Sequence, residues 1–418
     1  MNIRALLTRK DPKIWVFGAI RGHKYTDNAR YLFEYVNEHM DVKAVWLSRS
    51  PEVVKTVRAK GYRAFLFSDA EGRSYARRAK VAVITHRGTN GNADLPYHLF
   101  TTDTMIVQLW HGIPLKKIAY DDEIFINIER TERAQLLRSS MFGNIVYTLK
   151  TSKIADALRN AYYNLAYYNK LPHNPVLIPA LSDETKHIFA QAFRVDPERV
   201  MITGYPRNDI LLRSRTVDGK HPDAAKKVIY MPTFRDKVGS QFDLFLQYGF
   251  DVATLDRELE AEKMTLYIKL HPFNQPTQAL LEQIAASNNI RFLEEDAIYE
   301  ILSEFDILVT DYSSIYFDFL LLDRPIVFSP FDLDQYLVND REMYYDYDAV
   351  TPGPKSRDWN EVIVHLKAFG QDPSLFKDER RMIRDRFHTY QDGGSSQRIC
   401  RAIEGLLKKE HEEHHDKR

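Results

Sequence analysis

Short apolar runs alternate with longer stretches of helical spacing through much of the chain. Ile14 to Phe17 reads as a first strand, ending at Gly18. The loop RGHKYTDN follows, and Asp27 or Asn28 can cap a helix from Ala29 to about His39. A strand at Lys43–Leu47, a helix opened by Pro51, a strand at Ala64–Phe67 and a helix around Glu71–Ala79 continue the rhythm. Val81–Thr85 and Met105–Gln108 are further strands. Strand and helix in strict turn predict an open parallel sheet of Rossmann-like type. The first loop lacks GxGxxG, which argues against a nicotinamide enzyme built on this half.

The rhythm breaks over residues 124–173, which are basic and aromatic, and returns with strands at Val176–Ile178 and Val200–Thr203. Ser182 is placed to cap a helix over Asp183–Phe193, and Pro206 suits the first turn of another. Residues 214–226 are polar, with Gly219 and Pro222, and form the best linker candidate. A second alternating series follows: strands Lys227–Tyr230, Thr265–Leu270, Ile290–Leu293 and Ile307–Val309, with helices around Leu255–Glu262 and Thr277–Ala286. Ile315–Leu322 reads as a short, almost wholly apolar helix, and Pro325–Phe328 starts the next strand. Helices Leu375–His388 and Ser396–Lys409 follow, then a charged tail. The expected domains are 1–213, carrying an insertion at about 124–173, then 227–395, then the helix and tail 396–418.

Composition narrows the function classes. Among 418 residues, 58 Lys plus Arg balance 58 Asp plus Glu, which disfavours a nucleic-acid partner. The one cysteine, Cys400, excludes an intramolecular disulfide and leaves no cysteine-rich zinc site. The start MNIRALLTRKDPK is too short and charged for a signal peptide, and no apolar run approaches the roughly 18 residues of a membrane span. The expectation is a soluble or membrane-surface protein.

Candidate chemistry gathers at strand ends. Trp110-His111-Gly112 follows the strand at Met105–Gln108, with Lys116 and Lys117 close behind. His111 there either faces a ligand or packs beside Trp110 in a turn. Arg207 follows Pro206 and is expected to point toward an interdomain cleft. In the second series Arg235, His271 and the pair Ser313/Ser314 each follow a strand by a few residues. In a parallel sheet those loops share one edge, where ligands bind. A guanidinium, an imidazole and a helix N-terminus together suit a diphosphate. Taken alone, the serines could equally be a plain helix cap. Asp332, Asp334 and Asp346-Tyr347-Asp348 resemble a metal-holding D-x-D, but such tripeptides are common in acidic surface loops, and no metal is expected. Residues 154–168 have helical apolar spacing among basic and tyrosine residues. This suits either a helix in a bilayer interface or an insertion packed on the first domain.

Taken together, the segments KYTDNARY (24–31), QLWHGIPLKK (108–117), ITGYPRND (202–209), YMPTFRD (230–236), KLHP (269–272), TDYSSIYFDFLLLDRPIVF (310–328) and DGGSSQR (392–398) resemble the CDP-glycerol glycerophosphotransferase family of teichoic-acid and capsule synthesis. The resemblance implies a GT-B-like α/β fold, two Rossmann-like domains facing a central cleft, with the acceptor on the first and a CDP-polyol on the second. It implies transfer of glycerol phosphate or ribitol phosphate from CDP-glycerol or CDP-ribitol to a hydroxyl of a lipid-linked saccharide or polyol-phosphate acceptor, releasing CMP without a cofactor. His111 becomes the candidate base, with His271, Ser313 and Ser314 at the diphosphate. Arg235 supports the same group, and Arg207 and Asp318 are further binding candidates. Asp318 could equally be a favourable acid in its helix's first turn. The implied location is peripheral, on the cytoplasmic face of the cell membrane. The alternative is a GT-B glycosyltransferase or epimerase acting on a UDP-sugar. The long 124–173 segment departs from the motif set and leaves acceptor and membrane attachment open.

Overall fold

The computed structural model describes residues 8–85, 93–100, 103–138, 145, 148, 154, 155, 157, 158, 175–214, 225–233, 247–270, 274, 276–294, 297–339 and 342–415. The chain divides into two compact units. The first comprises 1–111, 118–207 and 394–418; the second comprises 112–117 and 208–393.

The first unit is built on strands β1 (Asp11–Phe17), β2 (Lys43–Ser48), β3 (Ala64–Leu66), β4 (Ala79–Ile84) and β5 (Met105–Gln108). They are parallel, in the order β3-β2-β1-β4-β5. Helices α1 (Asp27–His39), α2 (Pro51–Ala59) and α3 (Ala70–Arg78) are the crossovers. The period of two sorts the strands onto two cores. Trp15, Phe17, Ala44, Trp46, Val81 and Val83 join one cluster. Ile14, Val16, Val45, Leu47, Ala82 and Ile84 join the other. Both faces are covered, as parallel sheets require.

Beyond β5 the chain runs through α4 (Glu123–Arg138) to β6 (Ile178–Ala180). β6 pairs in parallel with β7 (Val200–Ile202), across α5 (Asp183–Phe193). Ser182 caps α5 in a reciprocal capping box with Thr185. The expected strand at Val176–Ile178 lies two residues early. Val176 and Leu177 instead bond β5 through Ile106 and Gln108, and the strand proper begins at Ile178.

The last helix of this unit comes from far along the chain. Residues Ser395–His415 place Ile399, Cys400 and Ile403 in the cluster with Trp15 and Phe33, and the helix packs against α1. Lys80 pairs with Glu410, and Arg398 donates to the Thr203 carbonyl at 3.1 Å. Gly204 has φ +79, and a Cβ there would lie 2.4 Å from the Ser395 hydroxyl. Glycine is therefore required both by the backbone and by the close approach. Burial pushes the Cys400 thiol up to about 12, so this cysteine is a core residue and not a nucleophile.

The second unit repeats the plan. After α6 (Pro206–Ser214), strands β8 (Lys226–Met231), β9 (Met264–Ile268), β10 (Ile290–Phe292), β11 (Ile307–Thr310) and β12 (Ile326–Phe328) form a parallel sheet ordered β10-β9-β8-β11-β12. Helices α7 (Val252–Ala261) and α8 (Gln278–Ala285) cross over, and α9 (Ile315–Phe319) continues as one 3-10 turn through Leu322. A helix the sequence pattern did not mark, Trp359–Gln371, packs Trp359, Val362, Leu366 and Phe369 on this sheet, opened by an Asp358 cap.

Both sheets have one strand order, with the direction of winding reversing beside the first strand. That switch point is where ligands sit in such sheets. A buried aspartate ties the strand-end loops at each. In the first unit Asp94 accepts from the Arg21 and Thr85 amides and the Thr85 hydroxyl, at 2.6, 2.9 and 2.7 Å. In the second, Asp311 accepts from the Thr233 and Tyr312 amides at 2.8 and 2.6 Å.

Candidate functional site

In the first unit the functional candidates stand on the loop after β5. The Leu109 amide still bonds the Ile84 carbonyl, so the chain is held to the sheet up to that point. Trp110 then takes a left-handed backbone, φ +58, which turns the loop out at the sheet's carboxyl edge. Its indole packs edge-on against Phe193, centroids 4.8 Å apart, and lies 4.1 Å from the His111 ring at 34°. His111 is exposed. Of the two sequence readings of His111, the packing beside Trp110 is observed, and the residue is also exposed to solvent.

The backbone of this loop is gripped from behind. Asn28 donates its carboxamide to the Trp110 carbonyl at 3.0 Å. Arg207 donates Nη1 to the His111 carbonyl at 2.7 Å and to Asp27 Oδ1 at 2.9 Å. The Arg207 amide in turn donates to Asn28 Oδ1 at 3.2 Å. Asn28 is 0% exposed and Arg207 4%. The guanidinium is thus engaged inside the first unit. The expected helix cap is met in part, since Asp27 Oδ1 accepts the Asn28 amide at 2.8 Å at the start of α1. The residue before α1 is Thr26, which makes no side-chain capping bond, and Asp27 stands in the left-handed region at φ +62 with its carboxylate toward Arg207.

Lys116 and Lys117 belong to the second unit and are spoken for there. Lys116 donates to the Tyr336 hydroxyl at 2.8 Å and sits over that ring; Lys117 pairs with Glu342.

In the second unit the serine pair follows β11 at the switch point. Ser313 and Ser314 are half-buried. Ser314 occupies the position before α9 but makes no side-chain capping bond, so the plain-cap reading does not account for its hydroxyl. Asp318, in the first turn, is wholly buried. It accepts from Asn208 Nδ2 at 2.9 Å and from the Tyr299 hydroxyl at 2.7 Å. Arg235 and His271 lie outside the described residues. Asp346 accepts from the Asp348 and Ala349 amides and caps a one-turn helix, which is the ordinary use of an aspartate there. Among the described residues no group of three or more His, Cys, Asp or Glu is placed to hold a metal ion.

The motifs ITGYPRND and TDYSS gave no role to Asn208 or Asp311, and KYTDNARY offered Asp27 and Asn28 only as helix caps. Their signal was in those same motifs: short polar residues beside a strand end or helix start, where a side chain can reach backbone.

Two Rossmann-like units of parallel sheet and helix define a GT-B-like protein. The solved wall teichoic acid polymerase TagF has this fold: it superposes with a TM-score of 0.67 at 22% identity, over 96% of this chain and 90% of that one. The chain belongs to the CDP-Glycerol:Poly(glycerophosphate) glycerophosphotransferase family, whose model matches residues 1–405. It is 28% identical to the teichoic acid glycerol-phosphate transferase of Staphylococcus aureus, over 93% of this chain and 92% of that protein. It is 24% identical to the teichoic acid poly(glycerol phosphate) polymerase of Staphylococcus epidermidis, over 96% of this chain but 51% of that longer protein.

Proposed function

We propose that the protein transfers a polyol phosphate from CDP-glycerol or CDP-ribitol to a hydroxyl of a lipid-linked saccharide or polyol-phosphate acceptor, in teichoic-acid-type polymer synthesis. The observation that carries this reading is the family match over residues 1–405. The acceptor oxygen attacks the phosphorus bearing the polyol, and the bond from that phosphorus to the CMP oxygen breaks. The acceptor proton passes to the His111 imidazole, whose exposure at a strand end suits a base that must meet an incoming hydroxyl. Charge gathers on phosphoryl oxygens and on departing CMP. Positioned donors stabilise it, and Arg235, His271, Ser313 and Ser314 are assigned that work. The uncapped Ser314 hydroxyl at the switch point supports the assignment. Asp318, with both oxygens already bonded, serves by fixing α9.

The deciding experiment incubates the protein separately with CDP-glycerol, CDP-ribitol and a UDP-sugar. Each is offered with a lipid-linked disaccharide and with a polyol-phosphate oligomer. CMP released together with acceptor extension is expected from one CDP-polyol. UDP release with neither CDP-polyol turned over would replace this reading with a sugar-nucleotide enzyme.

Attachment to a membrane surface is part of the same reading. No helix among the described residues is long and apolar enough to cross a membrane. Ile145, Ile154 and Leu158 are nevertheless exposed, Ile154 at 75%, within the segment that also carries the basic residues. Apolar side chains turned to solvent beside cations suit a bilayer interface. Ile154→Glu with Leu158→Glu is expected to weaken binding to anionic vesicles about thirtyfold, each change forfeiting roughly 1 kcal/mol of apolar transfer. Unchanged vesicle sedimentation would return the segment to the packed-insertion reading.

A further inference from the structure

We infer that Asp27, Asn28 and Arg207 form a positioning device that sets the direction of the His111 side chain. The inference rests on the proposed role of His111 as base.

The geometry is unusually specific. Two successive carbonyls, those of Trp110 and His111, each receive one side-chain donor, from Asn28 at 3.0 Å and Arg207 at 2.7 Å. These carbonyls lie in the two peptide planes on either side of the His111 Cα, so holding both fixes the backbone torsions there and the direction in which the Cα–Cβ bond of His111 leaves the chain. Trp110 holds a left-handed conformation that a bulky residue adopts only when its surroundings impose it. The indole packed on Phe193 and beneath the imidazole limits the ring from the other side.

The residue types match the task. Asn28 must donate to one carbonyl and accept from the Arg207 amide at once, which a carboxamide can do and a carboxylate cannot. Arg207 reaches a carbonyl and a carboxylate from one nitrogen, Nη1, and Asp27 orients that group at 2.9 Å. A buried ion pair is a poor device for stability alone, because apolar side chains of similar size do as well or better. Its value here lies in direction. These residues touch no reacting atom in this account and act only through His111.

The test is a double-mutant cycle on CMP release from CDP-glycerol with a glycerol-phosphate oligomer as acceptor. It uses the full chain and the variants His111→Ala, Arg207→Ala and the two combined. Arg207→Ala is expected to lower kcat about a hundredfold, the scale of a misplaced catalytic group, with KM for CDP-glycerol within about threefold. Placed on His111→Ala, the same change is expected to alter the residual rate less than about threefold. Asn28→Asp should reproduce the kcat loss, and Arg207→Lys should restore part of it. Thermal unfolding of each variant guards against misfolding; if Arg207→Ala does not fold, Asn28→Ala takes its place in the cycle. A rate loss that multiplies fully on the His111→Ala background, or an Arg207→Ala enzyme of normal kcat, overturns the inference and leaves the base reading standing. Near-normal turnover by His111→Ala alone removes the base reading, and this inference with it.

Discussion

His111→Ala is expected to lower turnover by roughly two to four orders of magnitude, the range for loss of a general base, while CDP-glycerol continues to bind. The split follows from placement. His111 stands on the first unit's loop after β5, whereas the residues assigned to the diphosphate belong to the second unit. Its ring is exposed and rests on Trp110, so its removal leaves no buried cavity. Steady-state CMP release and equilibrium CDP-glycerol binding, measured on one preparation, check both halves. A variant with near-normal turnover would take the base role from this residue. Equal loss of binding and turnover would move it to the donor.

The second large effect concerns stability. Asp318→Ala is expected to cost the folded protein about 2–4 kcal/mol, the scale for stranding buried partners of a carboxylate. Asp318 is 0% exposed, and its two oxygens separately hold the Asn208 carboxamide and the Tyr299 hydroxyl. Removing it takes that acceptor from the buried Asn208 carboxamide and from the half-buried Tyr299 hydroxyl. Asp318→Asn should cost less, since one oxygen remains. Urea unfolding followed by far-ultraviolet circular dichroism gives the difference. If Asp318→Ala unfolds like the parent yet loses CDP-glycerol, the carboxylate is a ligand contact and not a brace for α9.

The sheets were readable because their cause is local. Trp15 and Phe17 alternate with Ile14 and Val16, and the two sets do line opposite faces of β1. Ser182 and Pro51 announced helix starts by chemistry confined to one turn, and both helices begin there. What the pattern did not give is the use of each polar side chain after folding. Asp27 read as a helix cap because caps are where aspartates beside helices usually serve. Its carboxylate takes the Asn28 amide locally but also meets a guanidinium 180 residues away, and nothing within one turn of Asp27 records that partner. The partners of Arg207 were equally invisible: its bonds to Asp27 and to the His111 carbonyl span 180 and 96 residues. The helix at Trp359–Gln371 was passed over because the preceding acidic, aromatic stretch read as surface loop, although Tyr347 there is 6% exposed and donates to the Asp311 carbonyl at 3.1 Å.

The helix Ser395–His415 bears on how the polypeptide matures. It supplies Ile399, Cys400 and Ile403 to a core otherwise made from residues that leave the ribosome far earlier. At ordinary elongation rates of about 5–20 residues per second, the first sheet spends roughly ten seconds or more after its own synthesis with one wall missing. Residues 208–393 form an independent core and can mature in that interval. The nascent chain is therefore expected to finish its later-made unit before its earlier one. Until then the uncovered apolar seam along α1 is a natural place for a chaperone to sit.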